Sequence, residues 1–340
     1  MTHELRDDRF LLTMPSGIAA LVSTRGAALV ALAIPDRNGV FADVVLGYDT
    51  VADYAANTGF YFGATIGRVA NRVDGATFEL DDAQIHITRN HGARSLHGGE
   101  DEAFDRVVWS ASHVKGEASD AVVLRHTSHD GAEGYPGSVD ATVTYTLLDS
   151  ALRIEWHVTV GGRTPLNLTN HAYWNLAGAG HSTVLGHELL LAAPSYTPVR
   201  ADLIPTGAFA PVAGTPLDFR TTRRIGERIE SLGNGPHDGY DHNLVFDATR
   251  DVAESVARLR DPGSGRVLEM FTDDPGVQLY SGNFMTSTRG KGGIPYGWRS
   301  GLCLEPRAPP DAIHHPAFGS IIVEPGVDYR RAVTFRFSAD

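Results

Sequence analysis

The sequence predicts an all-β fold, a large antiparallel sandwich of stacked sheets. Three observations predict it. Turn residues are abundant and scattered: Gly is 37 and Pro 18 of 340 residues. They punctuate short apolar runs, the pattern of many short strands. Several runs alternate with period 2, giving one apolar face per strand. Helical signal is thin and no βαβ alternation occurs, which argues against a doubly wound sheet or a barrel of parallel strands.

The elements follow in chain order. Early strands are expected at Ile18–Val22 and Ala27–Ile34, then Thr77–Leu80, Ile85–Thr88 and Ala121–His126. Val139, Ala141, Val143, Tyr145 and Leu147 share one face, and Leu148-Asp149-Ser150 breaks the run. Leu152, Ile154, Trp156, Val158 and Val160 repeat the pattern against Arg153, Glu155, His157 and Thr159. Glu188–Ala192, Val267–Phe271, Val277–Tyr280 and Leu302–Leu304 extend the series, and Val333, Phe335 and Phe337 close it. Val51–Asn57 and Thr221–Leu232 are the two plausible helices, both short. Strand signals run from Ile18 to Phe337 without a break in composition, so a single domain over residues 1–340 is expected.

Composition narrows the function classes. The chain is 42% hydrophobic and 21% charged, ordinary for a globular protein. Its formal charge of −12 repels phosphate backbones, so nucleic acid is not expected as a partner. The longest apolar stretch, Gly26–Ile34, is far short of the ~20 residues that span a bilayer, so no membrane partner is expected either. Met1–Arg9 is charged and has no apolar core of a secretory signal. One cysteine, Cys303, permits no internal disulfide, which fits a reducing cytoplasm.

Polar residues gather in segments that strand patterning does not require. In Gly63–Arg72, Asn71 and Arg72 present hydrogen-bond donors suited to hydroxyl groups. In Asn90–Gly99, Gly98 and Gly99 permit close backbone approach and leave His97 room to face a cleft. Leu166–Leu176 joins amides, His171, Tyr173 and Trp174, the mixture that saccharide sites use: aromatics cover apolar sugar faces and amides bind hydroxyls. An imidazole there is suited to acid catalysis near neutral pH. Asp241, in Gly239–Asn243, is suited to accepting bonds from vicinal hydroxyls, and Gln278 faces away from Val277 and Leu279. In Leu302–Arg307, Cys303 and Glu305 share one face, and Pro306 is expected to end the ladder. A carboxylate there, beside apolar residues, gains basicity from desolvation. Taken singly, each segment also reads as a turn, a satisfied core histidine or a surface charge. Cys303 reads as a small buried residue. No His-Glu-x-x-His, cysteine pair, EF-hand or nucleotide loop occurs, and His126/His129 and His314/His315 lack a third ligand, so neither metal nor cofactor is expected.

Together, Gly63-Ala64-Thr65-Ile66-Gly67-Arg68 to Arg72, Leu96-His97-Gly98-Gly99, Thr169–Leu176, Gly239–Asn243 and Gly301–Pro306 with Pro310-Asp311-Ala312 resemble the aldose 1-epimerase (galactose mutarotase) family. The resemblance runs from about residue 60 to 320 in the family's order. It implies a supersandwich fold and interconversion of sugar anomers. By position, Glu305 resembles the family's general base and His171 its general acid. His97 matches a second histidine near the ring oxygen. Asn71, Arg72, Asp241 and Gln278 match positions that hold hydroxyls, and Trp174 joins them as an expected substrate contact. His314-His315-Pro316 and Thr286–Trp298 depart from the family pattern. Three other readings remain at this point: a glycoside hydrolase using Asp241 and Glu305, a non-catalytic carbohydrate binder, and a sugar-phosphate mutarotase using Arg68 or Arg72. The expected partner is a monosaccharide, handled by a monomer or homodimer.

Overall fold

A computed structural model describes residues 9–340 except 57 and 234–237. Most of the N-terminal segment Met1–Arg9, and Asn57 at the end of the first expected helix, therefore lie outside the described residues. The alternating runs become long paired strands. Val139–Leu148 pairs in full register with Ala151–Val160, and Tyr329–Ala339 lies on its other side. Their apolar faces are buried as the alternation requires, Trp156, Tyr145 and Phe335 among them.

These three strands form the middle of a nine-stranded antiparallel sheet. It continues through Asp120–Ser128 to Ser110–Lys115 on one side. On the other it runs through Arg266–Thr272, Ala257–Arg260 and Glu188–Leu191 to Arg223–Arg224. A second sheet has six strands in the order Tyr173–Trp174, Leu302–Pro306, Gly276–Tyr280, Asp241–Val245, Ser195–Tyr196 and Ala210–Pro211. A third has four, from Arg9–Thr13 to Phe41–Asp43. One apolar cluster reaches from Leu12 to Phe337 and draws on all three sheets. The all-β fold is thus as the sequence predicts.

Two expectations change. Thr221–Leu232 is not an α-helix: Arg223–Arg224 pairs as a short strand, and two 3₁₀ turns follow. Ile225 and Ile229, one helical turn apart, bury in the core and produced the helical signal. Val51–Ala56 is helical as expected. Pro306 does not end the ladder either. It pairs with Val277, and the Arg307 N–H still donates to the Gly276 carbonyl at 3.0 Å. The strand bearing Glu305 is therefore an interior one, between Tyr173–Trp174 and Gly276–Tyr280.

Candidate active site

The six-stranded sheet turns one polar face outward, and its register sets the site. Tyr173 pairs with Cys303, Cys303 with Tyr280 and Tyr280 with Asp241. One rung along, Glu305 pairs with Gln278 and Gln278 with Asn243. Because paired residues share a face and neighbours alternate, the two rungs form one continuous polar surface. Leu302, Leu304, Val277 and Leu279 point into the core behind it.

Two loops cross this surface. His171 follows Thr169–Asn170, which pairs with Thr65–Ile66. Its backbone is held at both ends: its N–H donates to Ala64 O, and its carbonyl accepts from Gly63 N–H. His97 and Asn71 lock each other, both with positive φ. The His97 N–H donates to Asn71 O at 3.0 Å, and the Asn71 N–H donates to His97 Nδ1 at 3.2 Å. Gly98 is required here, since a Cβ would sit 2.0 Å from the Gly67 carbonyl oxygen.

These elements enclose a cavity of about 320 Å³. Glu305, His171, His97, Asn71, Arg72 and Asp241 all line it. His171 Nε2 lies 3.8 Å from Glu305 Oε1. His171 is 4% exposed and Glu305 2%, and Glu305 Oε2 has no protein partner. The imidazole lies between Tyr61 and Tyr173, at ring distances of 5.8 and 5.1 Å with both planes within 29° of its own. Its Nδ1 faces Cys303 Sγ at 3.6 Å. Burial, and the nearby Glu305 and Asp241, push the Cys303 thiol well above its ordinary range, so it stays an S–H.

His97 is electrostatically different. Burial, then the neighbouring His171 and the Arg307 and Arg72 charges, hold its pKa well below the usual histidine value. Its Nδ1 already accepts the Asn71 N–H, so the neutral ring carries its proton on Nε2, as a donor. Arg72 Nη1 lies 3.6 Å from Asp241 Oδ2, and Asn71 Oδ1 accepts from the Arg72 N–H at 2.7 Å. Gln278 lies beneath the cavity and does not line it. Its Nε2 donates to Asp241 Oδ1 at 2.6 Å, and its Oε1 accepts from Arg307 at 2.8 Å. Gln278 therefore fixes Asp241, with each end of its amide engaged by the protein.

Trp174 is not a substrate contact. It is 0% exposed and packs on Phe335 and Phe337 in the core. On its two-residue strand, Tyr173 faces the cavity and Trp174 the opposite side. The amides of the same segment are also committed. Asn167 bonds Ala308, Asn170 bonds Gly63 and Tyr145, and Asn175 bonds Ser182 and Ser300. Arg68 is taken up by Ser128, His129, Pro136 and Gly137, away from the cavity. The aromatic lining comes instead from Tyr61, Tyr173, Tyr280, Phe60 and Phe284. Of these only Tyr173 had a signal in the sequence, as the neighbour of Trp174.

Among the described residues, His171, Cys303 and Glu305 form the one group whose ligand atoms approach closely enough for a metal ion. The thiol meets Nδ1, however, while the carboxylate meets Nε2.

A family model described as aldose 1-epimerase matches residues 8–336. The chain belongs to the aldose 1-epimerase family. It is 40% identical to a galactose mutarotase from Bos taurus over 92% of this chain and 89% of that one. It is 32% identical to an aldose 1-epimerase from Escherichia coli over 97% and 95%. Among solved structures, an aldose epimerase homologue from C. elegans superposes with a TM-score of 0.90 at 31% identity, covering 98% and 99% of the two chains. A galactose 1-epimerase from Lactobacillus acidophilus gives 0.83 at 26% identity, covering 97% and 94%. As an aldose 1-epimerase family member, the chain is a carbohydrate isomerase. No helix among the described residues is long and apolar enough to cross a membrane.

Proposed function

We propose that the chain interconverts the α and β anomers of free aldohexoses such as glucose and galactose by opening and reclosing the ring. The observation that carries this is the His171–Glu305 pair: two buried groups of complementary chemistry, 3.8 Å apart on one cavity. The reacting oxygens, O1 and the ring oxygen, hang on a single carbon. An acid and a base that serve both must therefore stand close together.

Glu305 takes the proton from the C1 hydroxyl as the C1–O5 bond breaks. The electron pair of that bond goes to O5, which receives the Nε2 proton of the His171 imidazolium. The neutral His97 donates from Nε2 toward the same oxygen. The aldehyde then rotates about C1–C2 and recloses on its other face, with both groups reversing roles. Asp241, held by Arg72 and Gln278, accepts bonds from ring hydroxyls, and Asn71 and Arg72 frame them. A reducing compartment, the cytoplasm, suits the single thiol beside His171.

A hydrolase reading requires one protonated carboxyl to act as acid. Asp241 is a poor candidate, because Arg72 faces its Oδ2 and the Gln278 amide donates to its Oδ1. A pure binding module has no need of a buried carboxylate set against an imidazole with its second oxygen unpartnered.

Polarimetry of fresh α-D-glucose and α-D-galactose tests the reading. A positioned acid or base contributes roughly 10²–10⁴-fold, so Glu305→Gln and His171→Asn each lose at least ~100-fold in kcat. Wild-type rates in either variant would overturn the assignment. Glucose 6-phosphate is expected to be a poorer substrate than glucose, because Arg68 is spent on the protein and Arg72 is held by Asp241.

A further inference from the structure

Arg307 is the most deeply buried arginine among the described residues. It is 0% exposed, yet no carboxylate bonds it. Its Nη1 donates to the Ala70 carbonyl at 3.2 Å and its Nη2 to Gln278 Oε1 at 2.8 Å, while Nε has no protein partner. A buried cation without an ion pair is costly, and burial lowers its own pKa accordingly. Its position explains what offsets that cost. Arg307 follows Glu305 by two residues, and its N–H continues the ladder, so both side chains leave the same face. The spacing along the strand is about 7 Å at ~3.3 Å per residue.

The surrounding charges leave Arg307 a distinct role. Glu305 is faced by His171 and Tyr173 from one side and by Tyr280 and Asp241 from the other. Cys303 and Arg307 flank it on its own strand. Arg72 and His97 face it across the cavity, and Asp274 lies beyond Arg307. Burial keeps Tyr173, Tyr280 and Cys303 protonated and His97 neutral. Asp274, also buried, is pushed up to about 7 and pairs with Arg331 at 3.2 Å. Arg72 is engaged by Asp241. Among the described residues, the fixed cation left to balance Glu305 is Arg307.

We infer that Arg307 is a positioning residue for the reaction: it sets a fixed cation beside the Glu305 base on the polar face and, through Gln278, aims Asp241 at the sugar. The inference rests on the reading of Glu305 as the base. The same guanidinium reaches Ala70 O, next to Asn71, so it also ties the hydroxyl-binding loop to the sheet.

The test is the pH dependence of kcat/KM for galactose. The acidic limb reports ionisation of the base in free enzyme. Removing a fixed cation that faces a carboxylate moves its titration upward by roughly one pH unit or more. Arg307→Met and Arg307→Gln are expected to move that limb to higher pH by this amount, and Arg307→Lys to leave it near the wild-type position. Folding is checked by circular dichroism. If neither neutral variant folds, the lysine variant decides alone: an unmoved limb supports the inference, and a limb moved upward overturns it. Folded neutral variants with lowered rates but an unmoved limb also overturn it. Glu305→Gln is measured alongside. If that variant stays active, the base assignment has failed; if it is inactive while the Arg307 limbs do not move, only the role of Arg307 has.

Discussion

At the residue scale, the site works by giving similar groups different surroundings. His97 and His171 lie 5.2 Å apart, ring to ring. One accepts a backbone N–H on Nδ1 and is held neutral; the other lies between two tyrosines, beside a carboxylate. A donor and an acid thus arise from one residue type. Cys303 shows the same principle in reverse. Thiolates are reactive where positive charge lowers their pKa, and here burial and two carboxylates raise it. Native enzyme at pH 8 is therefore expected to resist iodoacetamide over hours, while enzyme unfolded in guanidinium is alkylated at Cys303. Mass spectrometry reads the label, and rapid labelling of native enzyme would contradict the thiol's placement.

At the element scale, strand parity decides which residues reach the sugar. Tyr173 and Trp174 are adjacent, and a period of two sends them to opposite faces. Trp174→Ala is accordingly expected to cost ~3–5 kcal/mol of stability, as large aromatic truncations in cores do. KM is expected to change little. Chemical denaturation and polarimetry of the same preparation separate the two; a large rise in KM with unchanged stability would place the indole at the sugar after all. Parity also explains what was legible in the sequence. Glu305, His171, His97, Asn71, Arg72 and Asp241 were found because each sits in a polar segment that strand patterning leaves unexplained. The alternating strands at 139–147, 152–160 and 333–337 were found because one face of each is buried. The core placement of Trp174 is not legible in the sequence because a two-residue strand is too short to show its period. The surroundings of Arg307 are not legible in the sequence because its partners, Gln278 and Ala70, lie 29 and 237 residues away. Tyr61, Tyr280 and Phe284 likewise meet only in the folded sheet.

At the scale of the whole molecule, the site draws on residues 59 to 305 around an apolar cluster that runs from Leu12 to Phe337. Removing any part of that span would take away both catalytic side chains and core. We therefore expect the chain to unfold as one cooperative domain. Acid is expected to bring the transition nearer, through histidines that the fold buries uncharged. His187 is the clearest case. It is 2% exposed, its Nε2 accepts the Leu176 N–H at 2.9 Å, and burial drops its pKa to about 4. In the unfolded chain a histidine titrates near 6.5. Between those values the unfolded state binds the extra proton, so stability is full above about pH 6.5 and falls as pH drops toward 4. The loss from His187 alone is on the order of 3 kcal/mol, from ~2.5 pH units at 1.36 kcal/mol each. His97, which burial also holds well below the ordinary histidine value, adds to the same slope. Urea unfolding at pH 7.5, 6.5, 5.5 and 4.5 measures it. His187→Gln should reduce the slope by close to one proton. An unchanged slope in that variant, or two separate transitions at pH 7.5, would contradict this account.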